Sequence, residues 1–76
     1  MNKQRRTELE DLFAKLSEIH DELEDVKEDE ENALDNMPES LWSSERYERM
    51  QDAVTNLEDA LSSLEEVLGY IEAAKE

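Results

Sequence analysis

The sequence predicts an all-α protein, an antiparallel two-helix hairpin of coiled-coil type. Three observations carry that prediction. Apolar residues recur in steps of three and four along both halves of the chain. The only proline, Pro38, falls between the two patterns. No stretch alternates apolar and polar residues as a half-buried strand would.

In the first half the seam reads Leu9, Leu12, Leu16, Ile19, Leu23 and Val26, an unbroken a/d heptad pattern. Phe13, His20 and Leu34 lie on one flank of it. The pattern continues through Ala33 and Met37, with Glu30 at an inward position between them. Thr7 and Glu10 read as a capping box just before the seam. Helix 1 is therefore expected from about Thr7 to Asn36.

A turn is expected over 37–43. Pro38 has no backbone N–H and clashes with a preceding helical turn. It also drives Met37 away from the α region. Ser43 or Ser44 then serves as N-cap of a second helix, with Glu45 and Glu48 in the first turn, where the dipole favours negative charge. Arg46 and Arg49 run against that preference. They either neutralise neighbouring acids or have another task.

Helix 2 is expected over 44–75. Its seam reads Tyr47, Met50, Val54, Leu57, Leu61, Leu64, Leu68 and Ile71. A flanking column, Ala53, Ala60, Val67 and Ala74, is mostly alanine, and small side chains let another helix approach closely. Two helices of similar length with a short connection form a hairpin. Pairing outward from the turn sets Val26 near Val54, Leu23 near Leu57, Ile19 near Leu61 and Leu12 near Leu68. A single hairpin leaves one side of its seam open. The expected end state is a four-helix bundle or higher homo-oligomer, with Leu16, Ile19, Leu23, Leu57, Leu61 and Leu64 in the shared core.

Seventy-six residues allow one domain, 1–76. Acids outnumber bases 23 to 8, for a net charge of −15. That charge disfavours direct contact with a nucleic-acid backbone or an anionic membrane and favours basic partners. There is no cysteine, so neither a disulfide framework nor a thiolate-bound metal is expected. No apolar run approaches the length of a membrane span. The basic start, Met1 to Arg6, has no apolar region behind it and does not read as a secretory signal. The expected location is the cytosol.

The residues point to binding rather than catalysis. There is no Ser–His–Asp set, phosphate-cradling glycine loop or nucleophile motif, and no cofactor or metal is implied. His20 stands alone, reads as a helix-flank residue and makes no Glu-x-x-His site. From Glu18 to Glu31 there are nine acids in fourteen residues. Glu18, Asp21, Glu22, Glu24, Asp25, Glu28, Asp29 and Glu31 form either a solvated helix face or a partner-binding array resembling a phosphate backbone. The turn offers an alternative site. Asn36, Trp42, Arg46, Tyr47 and Arg49 combine cations, flat aromatic faces and the free N–H groups of a helix start, which suits an anionic nucleotide. Otherwise Trp42 caps the end of the seam and Arg46 pairs with Glu30 or Asp35.

The run from Asn36 to Glu48, NMPESLWSSERYE, resembles the central motif of small acidic helical-hairpin hypothetical proteins of phages, prophages and gut-bacterial mobile elements. Those chains are similar on both arms, with an acidic heptad helix before the motif and a helix like Asn56 to Leu61 after it. The resemblance implies a phage or mobile-element origin and a place in the host cytosol. It implies an inhibitor of a host defence protein, either a nucleic-acid mimic or an oligomeric sponge for a nucleotide. A structural part of phage assembly is the third reading.

The crowded carboxylates from Glu18 to Glu31 repel one another, and salt screens exposed charges beyond about 10 Å at ~0.1 M. Added salt should therefore raise the melting temperature, followed by circular dichroism. A melting temperature that falls instead would show that attractive ion pairs dominate.

Overall fold

The computed structural model describes the whole chain, residues 1–76. Helix α1 spans Lys3–Asp35, a 3-10 turn covers Glu39–Leu41, and helix α2 spans Glu45–Lys75. There are no strands. The hairpin measures 59 × 15 × 12 Å. Its radius of gyration is 17.4 Å, against about 11 Å for a compact globule of this length. The molecule is a rod two helices wide and one helix thick. Neither helix is long and apolar enough to cross a membrane.

Helix α1 starts four residues earlier than the capping-box reading gave. Asn2 is the N-cap, and its side chain accepts from the backbone N–H of Arg5 at 2.9 Å. Thr7 lies inside the helix, where its hydroxyl donates to the carbonyl of Lys3 at 3.1 Å. A cap site five residues upstream, Asn2 in place of Thr7, wins because Asn is at least as good a cap as Thr, and Lys3 to Arg6 contains no helix breaker.

The turn forms where proline demands it. Pro38 takes φ −58° and ψ 143°, outside the helical region. The indole N–H of Trp42 reaches back over it to the carbonyl of Met37 at 3.1 Å. Ser44, not Ser43, caps α2. Its hydroxyl donates to the carbonyl of Leu41 at 2.6 Å and accepts from the N–H of Tyr47 at 3.1 Å.

In α2 the expected seam faces α1, and the two buried residues of the chain, Val54 and Leu61, both belong to it. In α1 the seam is rotated. Phe13, His20, Lys27 and Leu34 are half-buried beside Leu9, Leu16 and Leu23. Leu12, Ile19 and Val26 are about half exposed, at 48%, 49% and 54%. The expected partners of Leu61 and Leu68 on α1, Ile19 and Leu12, are thus replaced by the column one residue on. The reason is electrostatic as well as steric. Turning His20 and Lys27 inward sets them against Glu65 and Glu58 of α2, at 3.3 and 3.9 Å. At the open end Lys75 stacks over the Phe13 ring, 5.2 Å from its centre. Gly69 has nothing within 4 Å of where a Cβ would stand, so no close packing inside the hairpin requires it.

Leu61 sits at the centre of the seam at 8% exposure. Leu61→Ala should lower stability by about 2–5 kcal/mol, seen as a large drop in melting temperature. Ser62→Ala, one residue on and exposed, should change it by no more than about 0.5 kcal/mol. Equal effects at both positions would remove Leu61 from the core.

Candidate functional site

The acidic run lies on the part of α1 turned away from α2. Glu18, Asp21, Glu22, Glu24, Asp25, Glu28 and Asp29 are exposed. Glu31 is only half exposed and holds the Lys27 ammonium at 3.0 Å, so it is less available than its position in the run suggested. The two nitrogenous side chains within the run both turn toward α2. His20 keeps 16% of its side chain exposed and Lys27 23%. The outward face of α1 from Glu18 to Asp29 therefore presents carboxylates with no cation among them.

Where those two side chains turn inward they build a polar groove of about 250 Å³ between the helices. Glu24, Glu58, Ser62 and Glu65 line it with them, over Leu61. His20 Nδ1 lies 3.4 Å from Asp21 and 3.9 Å from Glu24, and Nε2 lies 3.3 Å from Glu65. Partial burial alone would lower the imidazole pKa. The hydrogen bonds to Asp21 and Glu65 and the charges of Glu65 and Glu24 outweigh that effect and raise it above 6.5. The Lys27 pKa is also raised, first by its bond to Glu31, against partial desolvation and with help from Glu58 and Glu24. One ligand atom each from His20, Asp21 and Glu24 lies within 4.8 Å of the others, a mixed set that could hold a divalent cation. The raised imidazole pKa works against that use, because an imidazolium donates and cannot ligate.

The turn residues come together only in part. Trp42 and Tyr47 stack with ring centres 6.3 Å apart and planes at 29°. The Trp42 N–H is spent on Met37, and the Asn36 backbone N–H on Asn32. Arg46 and Arg49 are exposed, and neither belongs to any ion pair within 4.0 Å. Arg46 thus does not hold Glu30 or Asp35. These five residues enclose no cavity. Both concavities of the molecule lie along the helices, the second against Glu8, Asp11, Leu12 and Lys15.

The groove was not foreseen from the sequence, where His20 read as a flank residue. A signal was present: His20 and Lys27 are one heptad apart, and Glu58 and Glu65 are one heptad apart on the facing helix. No family model matches the sequence, no curated protein matches it significantly, and no solved structure matches it significantly.

The raised His20 pKa makes hairpin stability depend on pH. A group whose folded pKa exceeds its unfolded value stabilises fully below the unfolded value, 6.5, and loses that contribution as pH rises through the folded one. His20 is the only histidine of the chain, the side-chain type whose charge ordinarily changes between about pH 6 and pH 8. The melting temperature should therefore fall over that window at constant ionic strength. His20→Gln should flatten the fall, and an unchanged pH profile in that variant would show that the imidazole does not couple to folding.

Proposed function

We propose that this chain is a non-enzymatic interaction protein whose outward α1 face engages a basic surface of a partner protein, in the place that a nucleic acid would otherwise occupy. The observation that carries the reading is the one-sided distribution of charge. His20 and Lys27 turn toward α2, so the exposed carboxylates from Glu18 to Asp29 form an array without lysine or arginine, in which only Asp21 and Glu24 face the His20 imidazole.

The spacing of that array supports mimicry. Residues 18–29 rise about 18 Å along the helix. They carry seven exposed carboxylates, or one per ~2.6 Å. Duplex DNA carries one charge per ~1.7 Å of axis and a single strand one per ~3.4 Å. A rigid helix at an intermediate density presents an elongated field that a cleft shaped for phosphates can accept. The resemblance to phage and mobile-element proteins directs this reading to a host protein, with defence proteins as the class to test.

Competition binding tests it. A panel of basic DNA-binding host proteins is loaded with labelled duplex DNA, and the unlabelled chain is titrated in at low and moderate salt. The expected result is displacement from at least one member, weakening steeply as salt rises. Glu18→Lys, Asp25→Lys and Glu28→Lys together should weaken displacement by on the order of a hundredfold, about 2.7 kcal/mol, with helicity retained. Equal displacement by the reversed variant would remove the array from the interface. No displacement anywhere in the panel would sink the mimicry reading.

A further inference from the structure

The large apolar side chains left exposed by the helices are not scattered. Leu12, Ile19 and Val26 on α1 each precede Phe13, His20 or Lys27 of the buried stripe by one residue, a rotation of about 100°. On α2, Val67 precedes Leu68 of the seam by one residue, as Ala53 and Ala60 precede Val54 and Leu61. The helices run antiparallel, so the same sense of rotation swings both columns to the same broad face of the rod. That face is opposite the groove, because Glu58 and Glu65 follow Val54 and Leu61 by four residues and turn the other way. Apart from Met1 and the turn residues Leu41 and Trp42, the exposed large hydrophobics are Leu12, Ile19, Val26, Val67 and Tyr70. All five lie on this face or its edge.

The charge pattern points the same way. In a chain that is 41% charged, the α2 half of this face reads Ala53, Asn56, Ala60, Ser63 and Val67, without a carboxylate. The nearby acids Asp59 and Glu66 sit on the outer back of α2, and Glu58 and Glu65 on the groove side. The columns run from Leu12 to Val26 and from Ala53 to Val67, about 21 Å of helix across about 20 Å, two helix diameters. A patch of roughly 400 Å² is of the size that marks an interaction site, and the flanking turns of both rods extend the covered face toward the ~800 Å² per partner of a standard stable interface.

We infer that a second copy of this chain covers this face and closes a two-fold dimer, a four-helix bundle. The columns Leu12/Ile19/Val26 and Ala53/Ala60/Val67 form its second core layer. A second copy fits because its α2 strip, Ala53 to Val67, also carries no charge, so apolar columns meet while the carboxylates beside Leu12, Ile19 and Val26 stay at the solvated rim. The opposite face carries His20, Glu24, Lys27, Glu58 and Glu65. It offers no apolar strip on which a third hairpin can stack, so assembly stops at two. Of the acidic array, Glu18, Asp21, Asp25 and Glu28 stay on the outside of such a dimer, while Glu22 and Asp29, three residues after Ile19 and Val26, lie at its rim.

Sedimentation equilibrium of the full chain should give twice 8.9 kDa at micromolar concentration and moderate salt. A monomer at all concentrations overturns the inference, and so does a larger assembly. Ile19→Glu and Ala60→Glu should each weaken association by on the order of a hundredfold, and Ser62→Glu on the groove face should not. Loss of the dimer to the same extent in Ser62→Glu overturns the assignment of the face. If the glutamate variants unfold, thiol labelling decides, because the natural chain has no cysteine. Ala60→Cys should become protected from a thiol reagent as protein concentration rises while Ser62→Cys stays reactive. Equal reactivity at both positions overturns the proposal.

Discussion

Two rods laid side by side touch along one line. That constraint governs the whole molecule, because each helix can turn only one stripe toward the other. Helix α2 has a single strong stripe, and its centre supplies the two buried residues, Val54 and Leu61. Helix α1 has apolar residues on both sides of the Leu9/Leu16/Leu23 column and can turn only one side inward. It turns the side that carries Phe13, His20, Lys27 and Leu34, and everything else about the surface follows. The cations go in, one acidic face stays out, and Leu12, Ile19 and Val26 are left without a partner in the chain.

Electrostatics explains why the more apolar column loses. Glu58 and Glu65 of α2 flank the seam on one side, and a like-charged or apolar neighbour there would leave them uncompensated. His20 and Lys27 meet them at heptad spacing, each also held by acids of its own helix. Such exposed pairs are individually weak. They act in series along the rod, however, and the same column half-buries Phe13 and Leu34 at its two ends. The same rotation makes the outer face of α1 uniformly negative. Register and surface field are therefore one decision.

The turn is stiff for local reasons. Pro38 stops α1, the Trp42 indole bonds back across it to Met37, and Ser44 ties the carbonyl of Leu41 to the start of α2. Tyr47, the first seam residue of α2, stacks on Trp42 and closes the apolar stripe at this end. The indole N–H of the aromatic cluster is thus engaged within the hairpin. Arg46 and Arg49 project beside it as exposed cations in an acidic molecule.

The sequence by itself determined the helices, the turn and the α2 seam. Those features rest on local physics: heptad periodicity, the missing N–H of Pro38 and a capping serine, open between Ser43 and Ser44 in the sequence and Ser44 in the structure. It also located the acidic array, since exposure of seven adjacent carboxylates follows from their solvation. It misplaced the start of α1, where Asn2 and Thr7 both offer local caps and the longer helix prevails. Only the tertiary structure decided which flank of α1 faces α2. Periodicity weighs Leu12, Ile19 and Val26 above His20 and Lys27 because it counts only apolar atoms. The facing acids Glu58 and Glu65, more than thirty residues away in the chain, reverse that ranking, and no pattern within a single helix contains them.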